Sequence, residues 1–179
     1  MKKLFLLLLL GFTLLGFSQN TLIPDPNFEQ ALIDLGYDTA PINGSVPTAN
    51  ISDVTSLDVS NNNIADLTGI EDFIALIDLS CDSNQLTSLD VSNNTALITL
   101  YCYSNQLTSL DVSNNAALIY LICFNNQLTS LDVSNNTALT FLSCNENQLT
   151  SLDVSNNTAL TELYCAFNQL TSLDVSANP

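Results

Sequence analysis

From Leu86 onward the apolar residues recur with a period far longer than that of any helix or strand. Residues 86–169 repeat one 21-residue unit four times, beginning LTSLDVSNNTALITLYCYSNQ, and a fifth copy opens at Leu170. A fixed period of this length predicts a solenoid, in which no single coil can bury its own apolar face. Within one unit the apolar positions are Leu97, Leu100, Cys102, Leu107, Leu110 and Val112, and Asn105 and Asn115 close two nested halves, LxxLxCxxN and LxxLxVxxN. Alternation around Leu100 and Cys102, and again around Leu110 and Val112, is the period of two of an extended segment with one buried face. Each coil thus contributes six side chains to a shared core. The unit contains neither Gly nor Pro, so Ser/Asn pairs are expected to turn its corners through local hydrogen bonds.

These residues resemble the leucine-rich repeats, and more narrowly the bacterial internalin J-like type with a nested LxxLxCxxNxLxxLDLxxN unit and a cysteine ladder. The resemblance covers residues 54–179. It implies a leucine-rich-repeat solenoid, a right-handed superhelix, mostly β, whose LxCx segments form a parallel concave sheet. It also implies an adhesin or recognition module, not an enzyme. The LTSLDVSNN segment is Ser/Thr/Asn-rich and alternates with period two, so the convex side is expected to be extended rather than helical. Residues 54–75, VTSLDVSNNNIADLTGIEDFIA, form a divergent first unit of 22 residues, and its DLTGI segment is similar to ordinary internalin repeats.

Three segments follow from this division. Residues 1–18 read as a secretory signal peptide: Lys2 and Lys3, then a Leu/Phe-rich run, then Gly16 and Ser18 as small residues before Gln19. No cysteine follows that run, so lipoprotein processing is not indicated. The expected location is secreted or on the bacterial cell surface, with no membrane insertion after cleavage. Residues 19–50 form an N-terminal cap with one helix, started by Asp25 and Pro26, stopped by Gly36, and striped by Phe28, Leu32 and Leu35. Tyr37 to Asn50 reads as an irregular connection. Residues 51–179 hold the repeats. The cleavage region and the NFEQALIDLGYD segment resemble secreted Bacteroidetes-type proteins, which often continue into a sorting domain. The final copy stops mid-unit, so either a longer protein or another cover is expected at that end.

Charge narrows the function classes. The sequence has 18 Asp and Glu, no His, and only two basic residues, Lys2 and Lys3. Cleavage after Ser18 would remove both lysines and no carboxylate, leaving a net charge of −18. Without a cation to meet phosphate, nucleic acid is excluded as a partner. Ser-His, Cys-His, Schiff-base and His-ligated zinc chemistry all lack their residues. A carboxylate pair such as Glu146 and Glu162 is the acid–base option left. It falls in different columns of adjacent coils, so no catalytic role and no cofactor is assigned.

Four columns repeat at 21 residues. Cys81, Cys102, Cys123, Cys144 and Cys165 occupy an inward slot. Stacked Cβ atoms about 4.8 Å apart exceed the roughly 3.8 Å of a disulfide, which favours buried free thiols acting as small hydrophobes. Asn84, Asn105, Asn126, Asn147 and Asn168, with a second column of Asn94, Asn115, Asn136, Asn157 and Asn178, are expected to satisfy backbone groups at the turns. Asp90, Asp111, Asp132, Asp153 and Asp174 read as solvated structural carboxylates, with calcium as the alternative.

The coils differ from one another at the positions flanking the inward Leu and Cys. These read Thr99, Tyr101, Tyr103, Ser104; Tyr120, Ile122, Phe124, Asn125; Phe141, Ser143, Asn145, Glu146; and Glu162, Tyr164, Ala166, Phe167. The row before them is Asp78, Ser80, Asp82, Ser83. An outward aromatic patch with an acidic end, on a rigid sheet, is the composition of a binding surface. The other reading is cross-strand stabilisation of the sheet. A protein partner would use Tyr and Phe as anchors, and a glycan would stack on Tyr101, Tyr103, Tyr120 and Tyr164. Protein is the favoured class, because Arg and Trp, common in sugar sites, are absent; the alternatives are a glycan-binding module or a structural spacer that is part of a longer surface protein.

Overall fold

The computed structural model describes residues 19–179. The signal-peptide reading lies outside these residues. Six short strands build the fold: β3 (Ser56–Asp58), β4 (Asp78–Ser80), β5 (Thr99–Tyr101), β6 (Tyr120–Ile122), β7 (Phe141–Ser143) and β8 (Glu162–Tyr164). They form one parallel sheet in sequential order, each strand beside the next. The register follows the repeat. Leu79 lies opposite Leu100, then Leu121, Leu142 and Leu163, while Leu57 faces Leu79 across the longer first unit. Inter-coil hydrogen bonds continue past the strands, as from Cys102 N–H to the Ile122 carbonyl at 2.9 Å and from Ser104 N–H to Phe124 at 3.0 Å.

The core is one column of side chains running the length of the stack. Leu97, Leu100, Cys102, Leu107, Leu110 and Val112 are all buried, and the same six slots are buried in the next coil, from Leu118 to Val133. On the convex side the chain is extended at Asp90 and Asp111, which form a lone parallel bridge. Two tight turns then return it to the sheet, from Asn94 N–H to Val91 and from Leu97 N–H to Asn94. No repeat among the described residues carries an α-helix on that side.

The corners depart in part from the Ser/Asn expectation. The left-handed residue of each coil is Ser83, Ser104, Asn125, Glu146 or Phe167, with φ from 53° to 55°. Ser and Asn suit that conformation through local side-chain hydrogen bonds, whereas Glu146 and Phe167 adopt it because the stack imposes it. Glu146 N–H is tied to the Ala166 carbonyl at 3.0 Å, and the Asn147 and Asn168 amides fix the next residue.

The cap is more structured than the sequence suggests. Helix α1 (Pro26–Asp34) begins at Asp25, whose Oδ1 accepts from the N–H groups of Asn27 and Phe28. Its Oδ2 accepts from Ala65 and Asp66 at 2.7 and 3.0 Å, so one carboxylate caps the helix and fastens it to the first coil. Phe28, Ala31 and Leu32 are buried, and Phe28 stacks on Phe73. Leu35, expected on the apolar stripe, is the helix C-cap and is exposed. The connection read as irregular contains β2 (Ser45–Pro47), paired antiparallel with β1 (Asn20–Leu22). Buried Glu29 holds that connection through the Asn43 and Gly44 N–H groups, at 2.6 and 2.7 Å.

Candidate recognition surface

The parallel register sorts the outward side chains of the sheet into columns. One column runs Ser56, Asp78, Thr99, Tyr120, Phe141, Glu162, and the next runs Asp58, Ser80, Tyr101, Ile122, Ser143, Tyr164. Two residues further along each coil, Asp82, Tyr103, Phe124, Asn145 and Ala166 form a third. Aromatic rings meet across these columns. Tyr120 and Phe141 have centroids 6.2 Å apart, and Phe141 and Tyr164 are 5.5 Å apart in a diagonal contact. Tyr103 and Phe124 stack at 4.5 Å and 9°. Tyr120 and Tyr164 keep 44% and 52% of their surface exposed, which leaves ring faces open to a partner. Tyr101, Tyr103, Ile122, Phe124 and Phe141 are half-buried beside them.

Not every outward position is open. Ser143 is buried, its hydroxyl bonded to Asn145 Oδ1 at 2.8 Å. Asp82 is only 5% exposed, with the Ser83 hydroxyl donating to it. The hydrogen bond between the Tyr103 hydroxyl and Asp82, then burial and the nearby negative charge, pushes the Tyr103 phenol above its ordinary value. Glu146 and Phe167 stand at the corner beyond the strands, and Phe167 is 81% exposed. Glu162 lies beside Phe141 in a different column from Glu146, and its carboxylate accepts from the Tyr164 hydroxyl at 3.3 Å.

The invariant columns are scaffold. Asn126 is typical: its Nδ2 donates to the Cys102 and Cys123 carbonyls at 3.1 Å, and its Oδ1 accepts from Leu107 N–H at 2.9 Å. Asn84, Asn105, Asn147 and Asn168 repeat this pattern. In the second column, Asn115 donates to the Val91 and Asn94 carbonyls of the preceding coil. All five cysteines are free, four of them buried and Cys165 partly so. Burial pushes every thiol upward, Cys144 to about 12. Such thiols are neutral and unreactive at ordinary pH.

The aspartate column sits on the exposed convex side. The Ser92 hydroxyl and N–H hold Asp90 below the usual carboxylate range, and Ser113 and Ser134 do the same for Asp111 and Asp132. At Asp153 and Asp174 the backbone N–H of Ser155 and Ser176 leads. Each carboxylate is thus occupied by its own turn. Among the described residues no three His, Cys, Asp or Glu side chains converge as a metal site would require.

Comparison with known proteins fits this geometry. Residues 137–178 match the leucine-rich repeats in two copies, and residues 51–67 match a further leucine-rich repeat. Internalin J of Listeria monocytogenes serotype 4b is 44% identical over 78 residues, which are 44% of this chain and 8% of that protein. The solved functional domain of InlJ from Listeria monocytogenes, which includes a cysteine ladder, superposes with a TM-score of 0.82 at 42% identity. It covers 89% of this chain and 36% of that one. An internalin, InlF, from the same species shares the fold at 22% identity and a TM-score of 0.56, over 85% of this chain and 59% of its own. The chain therefore spans about a third of the solved InlJ domain and a small part of the curated internalin J. The nested 21-residue unit, the sequential parallel sheet and the column of buried thiols are those of leucine-rich repeats, in a homologue of internalin J that matches the cysteine-ladder domain of InlJ in structure.

Proposed function

We propose that this chain is a secreted or cell-surface recognition module, adhesin-like, that binds a protein partner through its concave aromatic face. The observation that carries this reading is the contrast between the two sides of the coil. LTSLDVSNN is nearly invariant from unit to unit, whereas the outward sheet columns change in every coil and gather Tyr103, Phe124, Tyr120, Phe141 and Tyr164 into contact. Side chains that only had to cover a sheet could repeat as the rest of the unit does. Tyr and Phe held on a rigid platform give large contact area at small entropic cost, the property of interface anchors. Location rests on the sequence of residues 1–18 and on the relatives. No helix among the described residues is long and apolar enough to cross a membrane.

A glycan is the second reading, favoured by the open ring faces of Tyr120 and Tyr164, on which a sugar could stack. The deciding experiment presents the chain to protein and glycan panels beside a Tyr120→Ser/Phe141→Ser/Tyr164→Ser variant that retains its circular dichroism spectrum. Protein binding by the parent and none by the variant is the expected result. Binding unchanged in the variant overturns the concave-face reading, and binding confined to the glycan panel replaces protein with sugar.

A further inference from the structure

We propose that the partner presents Lys or Arg side chains a few residues from apolar anchors and docks in one direction along the sheet. Its cations would lie over β3 and β4 and its apolar groups over β6 to β8. This inference rests on the concave-face reading and specifies its occupant.

The polarity is built into the register. Asp58, Asp78 and Asp82 lie on the first two rows, in the three columns whose later rows hold Tyr101, Tyr120 and Tyr103. At about 4.8 Å per strand, Asp78 is roughly 14 Å from Phe141 in its own column, a span of four or so extended residues. The described chain contains no Lys, Arg or His, so nothing within it can pair with these carboxylates. Asp82 makes the point sharpest. It is nine-tenths buried, it precedes Tyr103 in its column, and the described residues offer it no Lys, Arg or His. A carboxylate removed from water without a counter-charge is costly, and a docking cation relieves that cost.

The site is also shaped for such a group. Asp58 is fixed by the Ser60 N–H and hydroxyl at 3.0 and 2.7 Å, and the Ser83 hydroxyl donates to Asp82 at 3.2 Å. The flat Tyr103–Phe124 stack continues the column that Asp82 begins. A carboxylate beside an aromatic face suits a guanidinium, which pairs with the first and packs on the second. The convex aspartates are exposed and engaged by their own turns, as Asp58 is, but they lie on the opposite side of the coil from the aromatic columns, and none is buried as Asp82 is. The overall negative charge would speed approach of a basic partner, while the concave carboxylates would set its orientation.

The test is selection of a phage-displayed library of random peptides on the chain, followed by affinity measurement on three folded variants. One is Asp58→Asn/Asp78→Asn/Asp82→Asn. The second, matched in charge, is Asp111→Asn/Asp132→Asn/Asp153→Asn on the convex side. The third is Tyr120→Ser/Phe141→Ser/Tyr164→Ser. Selected peptides should combine Lys or Arg with aromatic or aliphatic residues. They should lose about ten-fold in affinity on the first variant and less than about two-fold on the second. Equal losses on the two aspartate variants would reduce the effect to bulk charge and overturn the inference. Peptides without cations that still fail on the aromatic variant would overturn it while leaving the concave face as the site. Peptides indifferent to the aromatic variant, or no peptides at all, would overturn both.

Discussion

Asn126 joins two coils through one amide: its Nδ2 donates to the Cys102 carbonyl of the preceding coil and to Cys123 of its own, while its Oδ1 accepts from Leu107 N–H. The amide is buried, so removing it strands three backbone groups away from water. Asn126→Ala is expected to cost about 3 kcal/mol in denaturant unfolding. Asn135→Ala, at an exposed position of the same unit, should cost less than about 0.5 kcal/mol. A similar cost for both would remove the ladder from the account of stability.

The cysteine column makes stability sensitive to alkali. Burial raises the folded-state value of the Cys144 thiol from 9.0 to about 12. Below pH 9 the thiol is protonated in both states, and the full stability is present. Above pH 9 the unfolded chain releases the proton and the folded chain does not, so stability falls as pH rises toward about 12. Each such thiol contributes up to about 1.4 kcal/mol per pH unit in that window, and Cys144→Ala should flatten the decline by one proton. Unfolding midpoints that do not move between pH 8 and pH 11 would contradict this.

Tyr103 reports on the acidic end of the sheet. Its phenol is held high first by its hydrogen bond to Asp82. Asp82→Asn takes away the negative charge that opposes phenolate formation, so the Tyr103 titration should shift downward toward 10.0, the unperturbed phenol value. Ultraviolet titration of the parent and variant checks the shift. An unchanged curve would mean that the two groups do not interact.

Much of this fold was legible because a solenoid repeats its instructions. The six buried slots, the cysteine column and the strand at every LxC segment follow from period two nested in period 21. What escaped the sequence lies where one residue serves two elements. Asp25 reads as a helix cap, but its second oxygen binds Ala65 and Asp66, forty residues away in sequence, and no local pattern signals that. Strands β1 and β2 are three residues each and include Pro47, below the length at which alternation carries information. Among the surface positions, alternation identified the outward columns. It could not foresee that Asp82 and Ser143 would sink beneath their neighbours, because both depend on side-chain packing between coils.

Phe167 separates function from stability. It holds a left-handed backbone, φ 54°, with an exposed ring, so neither its conformation nor its burial favours the fold. Strain of that kind at an exposed aromatic is expected where the ring is used for contact. Phe167→Asn places a residue that tolerates the left-handed region and should raise stability by about 0.5–1 kcal/mol, while weakening partner binding. A variant that is destabilised would show that the ring packs against the coil after all.

The central claim is that the changing concave columns, not the repeated convex side, meet the partner. The direct measurement is oxidative footprinting of the chain with and without a bound protein from the panel. The expected result is protection of Tyr120, Phe141, Tyr164 and Phe167, with Leu173 and Val175 unaffected. Protection of the convex segments with the aromatic diagonal left as reactive as in the free chain would contradict it.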